Sequence, residues 1–355
     1  MSMPLRITVA SLATALSLGA AGSVQAHEAC TSAPGGAPIA ATQAQAFLKT
    51  LSPLQRRVAV RGYNKFAAIR WSNLPVALAP RVGVRLGDLA PAQSTAVDAL
   101  LASALSQCGL DLLTGIRAAD AVLMPLDNRG IGWNPANYYV ALIGEPSADK
   151  AWILKVDGHH IAYNITFNGA QVSATPLFDG IEPVRFTSGG REQSPLAVQA
   201  DAMRALAGAV SSAEQARLDG EFRDVTRGST PDGDTNFPIS YPGGSAGRGV
   251  PYDRLSAIQK GLVRDAMRAW VDLPNAAISG VLMADYLQDA ALAETFVGVS
   301  GAPDLASPGA YVRIDGPRVW IEFIVQPAAS DAKGIHYHTI WRDKLADYGG
   351  AFAGR

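Results

Sequence analysis

This sequence contains few cysteines and has almost no net charge. Only Cys30 and Cys108 occur among 355 residues, and 30 Lys and Arg residues are balanced by 31 Asp and Glu residues. A net charge of −1 provides no bulk electrostatic basis for binding a nucleic acid. No nucleophilic cysteine site is indicated, because two cysteines in an oxidising compartment are expected to form one disulfide.

Long apolar runs are also missing. Arg6, the apolar stretch 7–20 and Val24-Gln25-Ala26 together have the pattern of a secretory signal cleaved after residue 26. That stretch is too short to span a bilayer as a stable helix, and no later stretch is long enough. We therefore expect a periplasmic or secreted protein without a membrane span.

The chain after the signal divides into segments by composition and periodicity. Helical patterns include one from about Pro91 to Gln107, with Gly109 as its stop signal. Strands and helices that are segregated along the chain favour an α+β fold. The predicted segments are a tether at 27–40, a first helix and β-meander half at 41–218, a Gly/Pro-rich loop at 219–250 and a second helix-plus-hairpin half at 251–355.

Two Asp-Gly pairs predict two hairpins. Asp157-Gly158 and Asp315-Gly316 each lie between alternating apolar runs, which is the strongest short-range signal for a two-residue β-turn. Aligning the two pairs superposes apolar residues through both strands. We interpret this as two similar halves, each a helix with an antiparallel hairpin, packed into one unit. Chance similarity of two ordinary hairpins is the alternative.

Four of the five histidines form two groups. His159 and His160 begin the strand after the first Asp-Gly pair, and His336 and His338 share one face of a later strand. We predict that His160, His336 and His338 form a three-ligand site for zinc or copper with an open position. Adjacent residues of a strand face opposite ways, so His159 becomes a candidate catalytic acid or base. The alternative is that these histidines only make ordinary structural hydrogen bonds.

Cations and carboxylates near these histidines suggest further site residues. Arginine suits bidentate recognition of carboxylate or phosphate. The second reading is therefore a pocket for an acidic ligand, in which Lys155 contributes and the candidate ligand-binding residues are Arg313, Arg318, Trp341 and Arg342. Glu322, on the polar face of the second hairpin, and Asp343 are candidate catalytic carboxylates.

His27 would become the N-terminus if cleavage follows Ala26. A terminal amine and its own imidazole can chelate copper together, which is a third possible metal site.

Four motifs resemble one family. They are Trp71-Ser-Asn-Leu-Pro75, Gly158-His-His-Ile-Ala-Tyr-Asn164, Thr175-Pro-Leu-Phe178 and Ile335-His-Tyr-His-Thr-Ile-Trp-Arg-Asp343. The sequence from about residue 45 to the C-terminus resembles the family catalogued as domain of unknown function 3500, which consists mostly of exported bacterial proteins. The resemblance implies that these positions matter and implies no particular reaction.

Two functions follow as expectations. The first is an exported metal-dependent enzyme that acts on a small substrate at the histidine site. The second is a binding protein that captures an acidic ligand or a metal. Both require His336 and His338 to approach the His159-His160 turn, because ring nitrogens more than ~10 Å apart cannot share one ion.

Overall fold

A computed structural model describes residues 30–219 and 233–352. The predicted signal at 1–26 and the copper-binding terminus at His27 lie outside these residues. So does the part of the predicted 219–250 loop from 220 to 232.

Nine α-helices occur in the described part of the chain. None of them is long and apolar enough to cross a membrane. They are α1 (Ala37–Thr50), α2 (Pro53–Ala59), α3 (Lys65–Ile69), α4 (Pro91–Ala104), α5 (Gln107–Leu123), α6 (Ala197–Val210), α7 (Ala257–Val271), α8 (Ala276–Tyr286) and α9 (Asp289–Ala293).

Most strands belong to one large mixed sheet. Its main path is β1-β3-β4-β5-β7-β14-β13-β12-β11-β10, with β2 beside β3 and β6 beside β5, while β8 and β9 form a separate pair. The strands are β1 (Val60–Arg61), β2 (Val84–Arg85), β3 (Tyr139–Ile143), β4 (Trp152–Gly158), β5 (Ile161–Asn168), β6 (Gln171–Ser173), β7 (Leu177–Ile181), β8 (Phe186–Ser188), β9 (Arg191–Gln193), β10 (Val250–Pro251), β11 (Phe296–Ser300), β12 (Tyr311–Asp315), β13 (Val319–Pro327) and β14 (Ile335–Asp343).

One face of the sheet, the helix face, carries the main apolar core. Val156, Tyr163 and Trp341 of this face pack in one cluster with Leu112 of α5 and Met203 of α6. Apolar residues at alternate strand positions supply this face, as period-two patterning predicts. Burial of this layer is the main stabilising contribution to the fold.

The opposite face, the loop face, is covered by irregular segments and is rich in polar groups. Lys155 of β4 contacts the α3 region, Arg342 of β14 contacts Asp234 of the loop, and Tyr348 of the C-terminal segment is fully buried. Buried polar groups require hydrogen-bond partners, so this face holds its cover through specific pairs.

The predicted hairpin turns are displaced along the chain. In the first hairpin Gly158 pairs with Ile161, so the turn consists of His159 and His160 and not of Asp157-Gly158. Gly158 serves close packing, since a Cβ there would lie 2.3 Å from the Tyr138 ring. The displacement by two residues leaves the predicted strand faces unchanged.

The second hairpin has a wider loop than predicted. Asp315 pairs with Trp320, and the Gly316 amide donates to the Val319 carbonyl at 2.8 Å. Pro317 and Arg318 therefore occupy the tip and do not join the strand faces. Arg318 therefore does not share the strand face that carries Arg313, the other candidate ligand-binding arginine of this hairpin.

The predicted helix stop at Gly109 is also wrong. α4 ends at Ala104, and Ser106 caps α5 by accepting a hydrogen bond from the Gly109 amide at 3.2 Å. Gly109 lies where a Cβ would come 2.3 Å from the Leu273 carbonyl oxygen. Glycine is therefore needed here for close approach and not for ending a helix.

Similar local structure occurs near both ends of the sheet. Gly83 and Gly249 have φ of 119° and 112°, and each precedes a two-residue strand, β2 or β10. Each strand continues into a short 3-10 turn and then a long helix, α4 or α7. The amides of the residues that begin these turns donate to the carbonyls of Tyr138 and Thr295, which directly precede β3 and β11, at 2.7 and 2.8 Å.

The Cys30–Cys108 disulfide predicted from the sequence is formed. It links the segment before α1 to the first turn of α5, across a sequence separation of 78 residues.

Candidate metal centre

Three histidines converge on the loop face although two of them follow the first by more than 170 residues. His160 lies in the turn between β4 and β5, and His336 and His338 lie in β14. Strand β7 lies between β5 and β14 and pairs with both of them. Alternate positions in β14 point the same way, so His336 and His338 face His160 together.

The three imidazoles form a compact and buried group. One ring nitrogen from each can be chosen so that all three lie within 4.8 Å of one another. The residues are only 4–9% exposed. Nitrogens bound to one tetrahedral zinc ion lie about 3.4 Å apart, so the widest pair would close by about 1.4 Å around an ion.

Gly180 of β7 makes room for this group. It pairs with His338 across the sheet, and its amide donates to the His160 carbonyl at 2.8 Å. A Cβ at position 180 would lie 2.7 Å from Cδ2 of both His160 and His338. The glycine thus permits both rings to lie against the β7 backbone.

The backbone of His160 is held in an uncommon conformation. Its φ is +63°, in the left-handed region that residues with a side chain rarely occupy. The His160 amide donates to the carbonyl of Asn73 at 3.2 Å, and the Asn73 side chain is itself buried. Unusual backbone conformations of this kind are concentrated at functional sites.

Hydrogen bonding fixes the tautomer of His336. Its Nδ1 lies 2.8 Å from the Pro327 carbonyl, which requires Nδ1 to carry the proton. Nε2 then has its lone pair available as the ligand atom. Nδ1 also lies 3.7 Å from Glu182 Oε2, a carboxylate held by the amides of Ala329 and Ser330.

Burial keeps His160 neutral. Desolvation, followed by repulsion from His159, His338 and His336, holds the pKa of His160 well below its usual value. A neutral imidazole is the form that binds a metal ion.

His159 stands beside His160 but makes its side-chain hydrogen bond to helix α5. Its Nδ1 lies 2.5 Å from Asp120 Oδ1, and the Tyr138 hydroxyl lies 2.9 Å from both Asp120 Oδ2 and the His159 carbonyl. The ring of His159 stacks on that of His160, with centroids 3.8 Å apart. Sequence reasoning missed Asp120, because helix α5 that carries it was not predicted.

A family model described as "Protein of unknown function (DUF3500)" matches residues 36–350. The chain belongs to the DUF3500 family. No curated protein and no solved structure matches it.

In this DUF3500 protein, two of the predicted anion-binding arginines are already bound within the fold. Arg342 is fully buried and donates to Asp234 Oδ2 at 2.9 Å and to Asp347 Oδ2 at 2.8 Å. Arg313 donates to the Gly247 carbonyl at 2.9 Å, and its guanidinium lies over the Trp320 ring. Both arginines hold the loop that covers the sheet.

Arg318, Asp343 and Trp341 belong to the helix face. Arg318 pairs with Asp285 of α8 and, at 2.6 Å, with Asp343, which also accepts from the Tyr286 hydroxyl at 3.0 Å. Trp341 is fully buried in the main core. The side chains of His336 and His338 point to the opposite face, so the structure does not bring these three residues into the histidine group.

Glu322 shares the loop face with the histidines but has its own partners. Its two carboxylate oxygens accept from the Tyr311 hydroxyl at 2.5 Å and from Trp320 Nε1 at 2.6 Å. In the sheet register Glu322 pairs with Ile340, whereas His338 pairs with Ile324. Glu322 is therefore part of a neighbouring polar cluster on β12 and β13.

Proposed function

We propose that this DUF3500 protein is an exported metal-dependent enzyme whose ion is held by His160, His336 and His338. The fourth coordination position is left for water or a small substrate. The observation that carries the proposal is the meeting of three buried imidazoles, with ligand atoms within 4.8 Å, from a turn and a strand far apart in sequence. Burying three imidazoles together has no benefit for packing that apolar side chains would not supply better.

The donor set favours zinc, with copper as the second candidate. Three neutral imidazoles with an open position are a typical ligand set of catalytic zinc. Bound zinc would lower the pKa of a water ligand to near neutrality and so supply a nucleophile for hydrolysis. Within the chain, Asp120 orients His159 against the His160 ring, which makes this pair the candidate for moving a proton beside the site.

We also propose that the two ends of the sheet are copies of one helix-plus-hairpin unit. The positive-φ glycines, two-residue strands, 3-10 turns and long helices that recur at β2–α4 and β10–α7 support this. Both long helices also start with the same hydrogen bond, in which the side chain of Gln93 or Gln259 accepts from the amide of the cap residue three positions before it. On this reading, the histidine site lies where the two units meet.

Elemental analysis of protein purified without a tag tests the metal site. We expect about one equivalent of zinc or copper per chain after loading, and less than about a tenth of an equivalent for His338→Ala, because three ligands hold the ion. The affinity should fall more than about 100-fold, since even the loss of an outer partner costs 10–100-fold.

His159→Gln is the matched control, because it changes the adjacent imidazole, which is hydrogen-bonded to Asp120 and is not one of the three proposed ligands. This variant should keep its full metal content. Wild-type protein that holds less than about a tenth of an equivalent of any transition metal after loading would refute the proposal, given how tightly such ligand sets bind zinc or copper.

A further inference from the structure

The segment before Asp88 is strongly basic. Residues 29–87 contain no Asp or Glu, although the whole chain has a net charge of −1. The basic residues of this segment are Lys49, Arg56, Arg57, Arg61, Lys65, Arg70, Arg81 and Arg85. A one-sided charge distribution of this kind attracts anions to the surface that carries it.

A cleft of about 470 Å³ is lined by residues of this basic segment together with Thr235. Its walls are α3 and the loop after it, with Phe66 and Ile69 on one side, Ala79 and Pro80 on the other, and Trp71 between them. This volume is in the range of small-molecule sites, which are mostly apolar with a few polar groups. Phe66 is 67% exposed, so its ring is accessible to a ligand in the cleft.

Arg70 is the cation of this cleft. Its guanidinium lies over the Phe66 ring, 5.1 Å from the centroid, and no carboxylate in the described part of the chain pairs with it. Nearby arginines differ in this respect, since Arg81 pairs with Asp157 at 2.8 Å and Arg85 with Asp88 at 2.6 Å. Arg70 thus remains able to bind an external anion.

Two buried cations hold the backbone of both walls of the cleft. The Lys155 ammonium donates to the carbonyls of Ala67, Ala68 and Arg70 at 2.6–3.0 Å. Arg81 donates to the Ser72 carbonyl at 2.6 Å and also to the carbonyl of Ala79. Burying two charged groups is costly, so their use to fix these walls indicates a preorganised surface.

The cleft lies next to the histidine group. The ring of Trp71 contacts that of Phe178 at 5.6 Å between centroids, and Phe178 contacts His338 at 5.3 Å. On the backbone side, the Asn73 carbonyl accepts from the His160 amide. A ligand against Trp71 is therefore separated from the histidines by a single aromatic layer.

We propose that this cleft binds a small organic acid, with its carboxylate on Arg70 and a planar apolar body against Phe66 and Trp71. Arginine pairs with a carboxylate through two parallel hydrogen bonds and stacks on aromatic rings at the same time. This binding is a property of the cleft itself and does not rest on the proposed metal site.

Calorimetric titration with 2-naphthoate and with its neutral analogue 2-naphthalenemethanol tests the cleft. We expect 2-naphthoate to bind about tenfold more tightly, because hydrogen bonds to charged groups are about twice as strong as neutral ones. Arg70→Gln should remove this difference and leave the alcohol unaffected. Phe66→Ala should weaken both probes by a similar factor. Both changed side chains are exposed, so both variants should fold.

Arg57→Gln is the control, because Arg57 is an exposed arginine of the same basic segment outside the cleft. It should bind both probes as the wild type does. Equal affinities for acid and alcohol, an unchanged affinity in Arg70→Gln, or no binding of either probe at about 1 mM would overturn the proposal.

Metal content separates this proposal from the previous one. Arg70→Gln should keep its full equivalent of metal, since it touches none of the three histidines. Protein that binds 2-naphthoate through Arg70 but takes up no metal would retain the acid cleft and refute only the metal enzyme.

Discussion

At the scale of single residues, Gly180 determines how closely two imidazoles approach the sheet. A Cβ there would come 2.7 Å from both His160 and His338. We expect Gly180→Ala to destabilise the fold by about 1–3 kcal/mol, the usual cost of overpacking, and to weaken metal binding because both rings must move. Urea unfolding and metal titration measure the two effects.

Gly208→Ala in α6 is the control for this substitution. No atom lies within 4 Å of a Cβ at position 208, and the residue is exposed in the interior of a helix. This change should stabilise the protein by about 0.5–1 kcal/mol. If Gly180→Ala unfolds and binds metal like the wild type, the two rings do not lie against β7.

Asp179 gives a second prediction at this scale. It is fully buried on the helix face, and desolvation raises its pKa to about 7, although the Tyr163 hydroxyl donates to it at 2.6 Å. The folded state therefore holds this proton more tightly than the unfolded state. The stability that Asp179 contributes is present below about pH 4 and is lost as the pH rises to about 7.

Asp179→Asn should abolish this part of the pH dependence, because the amide resembles the protonated carboxyl and still accepts from Tyr163. We expect the variant to gain stability relative to the wild type between pH 5 and pH 8, by a few kcal/mol at most. Urea midpoints at both pH values, with a chelator present, measure the change. A constant difference between wild type and variant across this range would show that Asp179 is ionised in the folded state.

At the scale of elements, the structural roles of two glycines were predicted wrongly from the sequence. Gly158 and Gly109 were interpreted as turn and stop signals, whereas both are needed for close contacts with residues distant in sequence. Local propensity contains no information about such contacts. The face of His160 was nevertheless predicted correctly, because a displacement by two residues preserves the alternation of a strand.

The missed helix α5 shows a related limit. Its start depends on Ser106, and its Asp120 meets His159 only after helix and sheet have packed together. The partners of Arg342 were missed for the same reason, since Asp234 lies far from it in sequence and Asp347 lies across a turn. Histidine spacing alone indicated the ligand group, because strand alternation is a local property.

The disulfide between Cys30 and α5 can be removed by substitution without changing any of the three histidines. In the chain-entropy model, a link across 78 residues stabilises the fold by about 4 kcal/mol. We expect the Cys30→Ser, Cys108→Ser double variant to lose about this much stability and to keep its metal content. Dithiothreitol should lower the unfolding midpoint of the wild type and leave that of the double variant unchanged, and equal midpoints without reductant would contradict the prediction.

At the scale of the whole molecule, the proposed export can be tested by mass. Protein from a periplasmic or secreted fraction should have the mass of residues 27–355 with one disulfide, because cleavage is expected after Ala26. Intact-mass spectrometry with and without thiol alkylation measures both features. A full-length protein with two alkylated thiols in the cytoplasm would contradict the proposal.

The place of β7 between β5 and β14 would determine when the proposed ion is acquired. His336 and His338 follow His160 by more than 170 residues and are therefore synthesised well after it. A chain that has been synthesised only as far as β7 thus presents one of the three imidazoles. If the site holds an ion as proposed, capture follows the synthesis of β14, and the metals available where the chain finishes folding would decide which ion is bound.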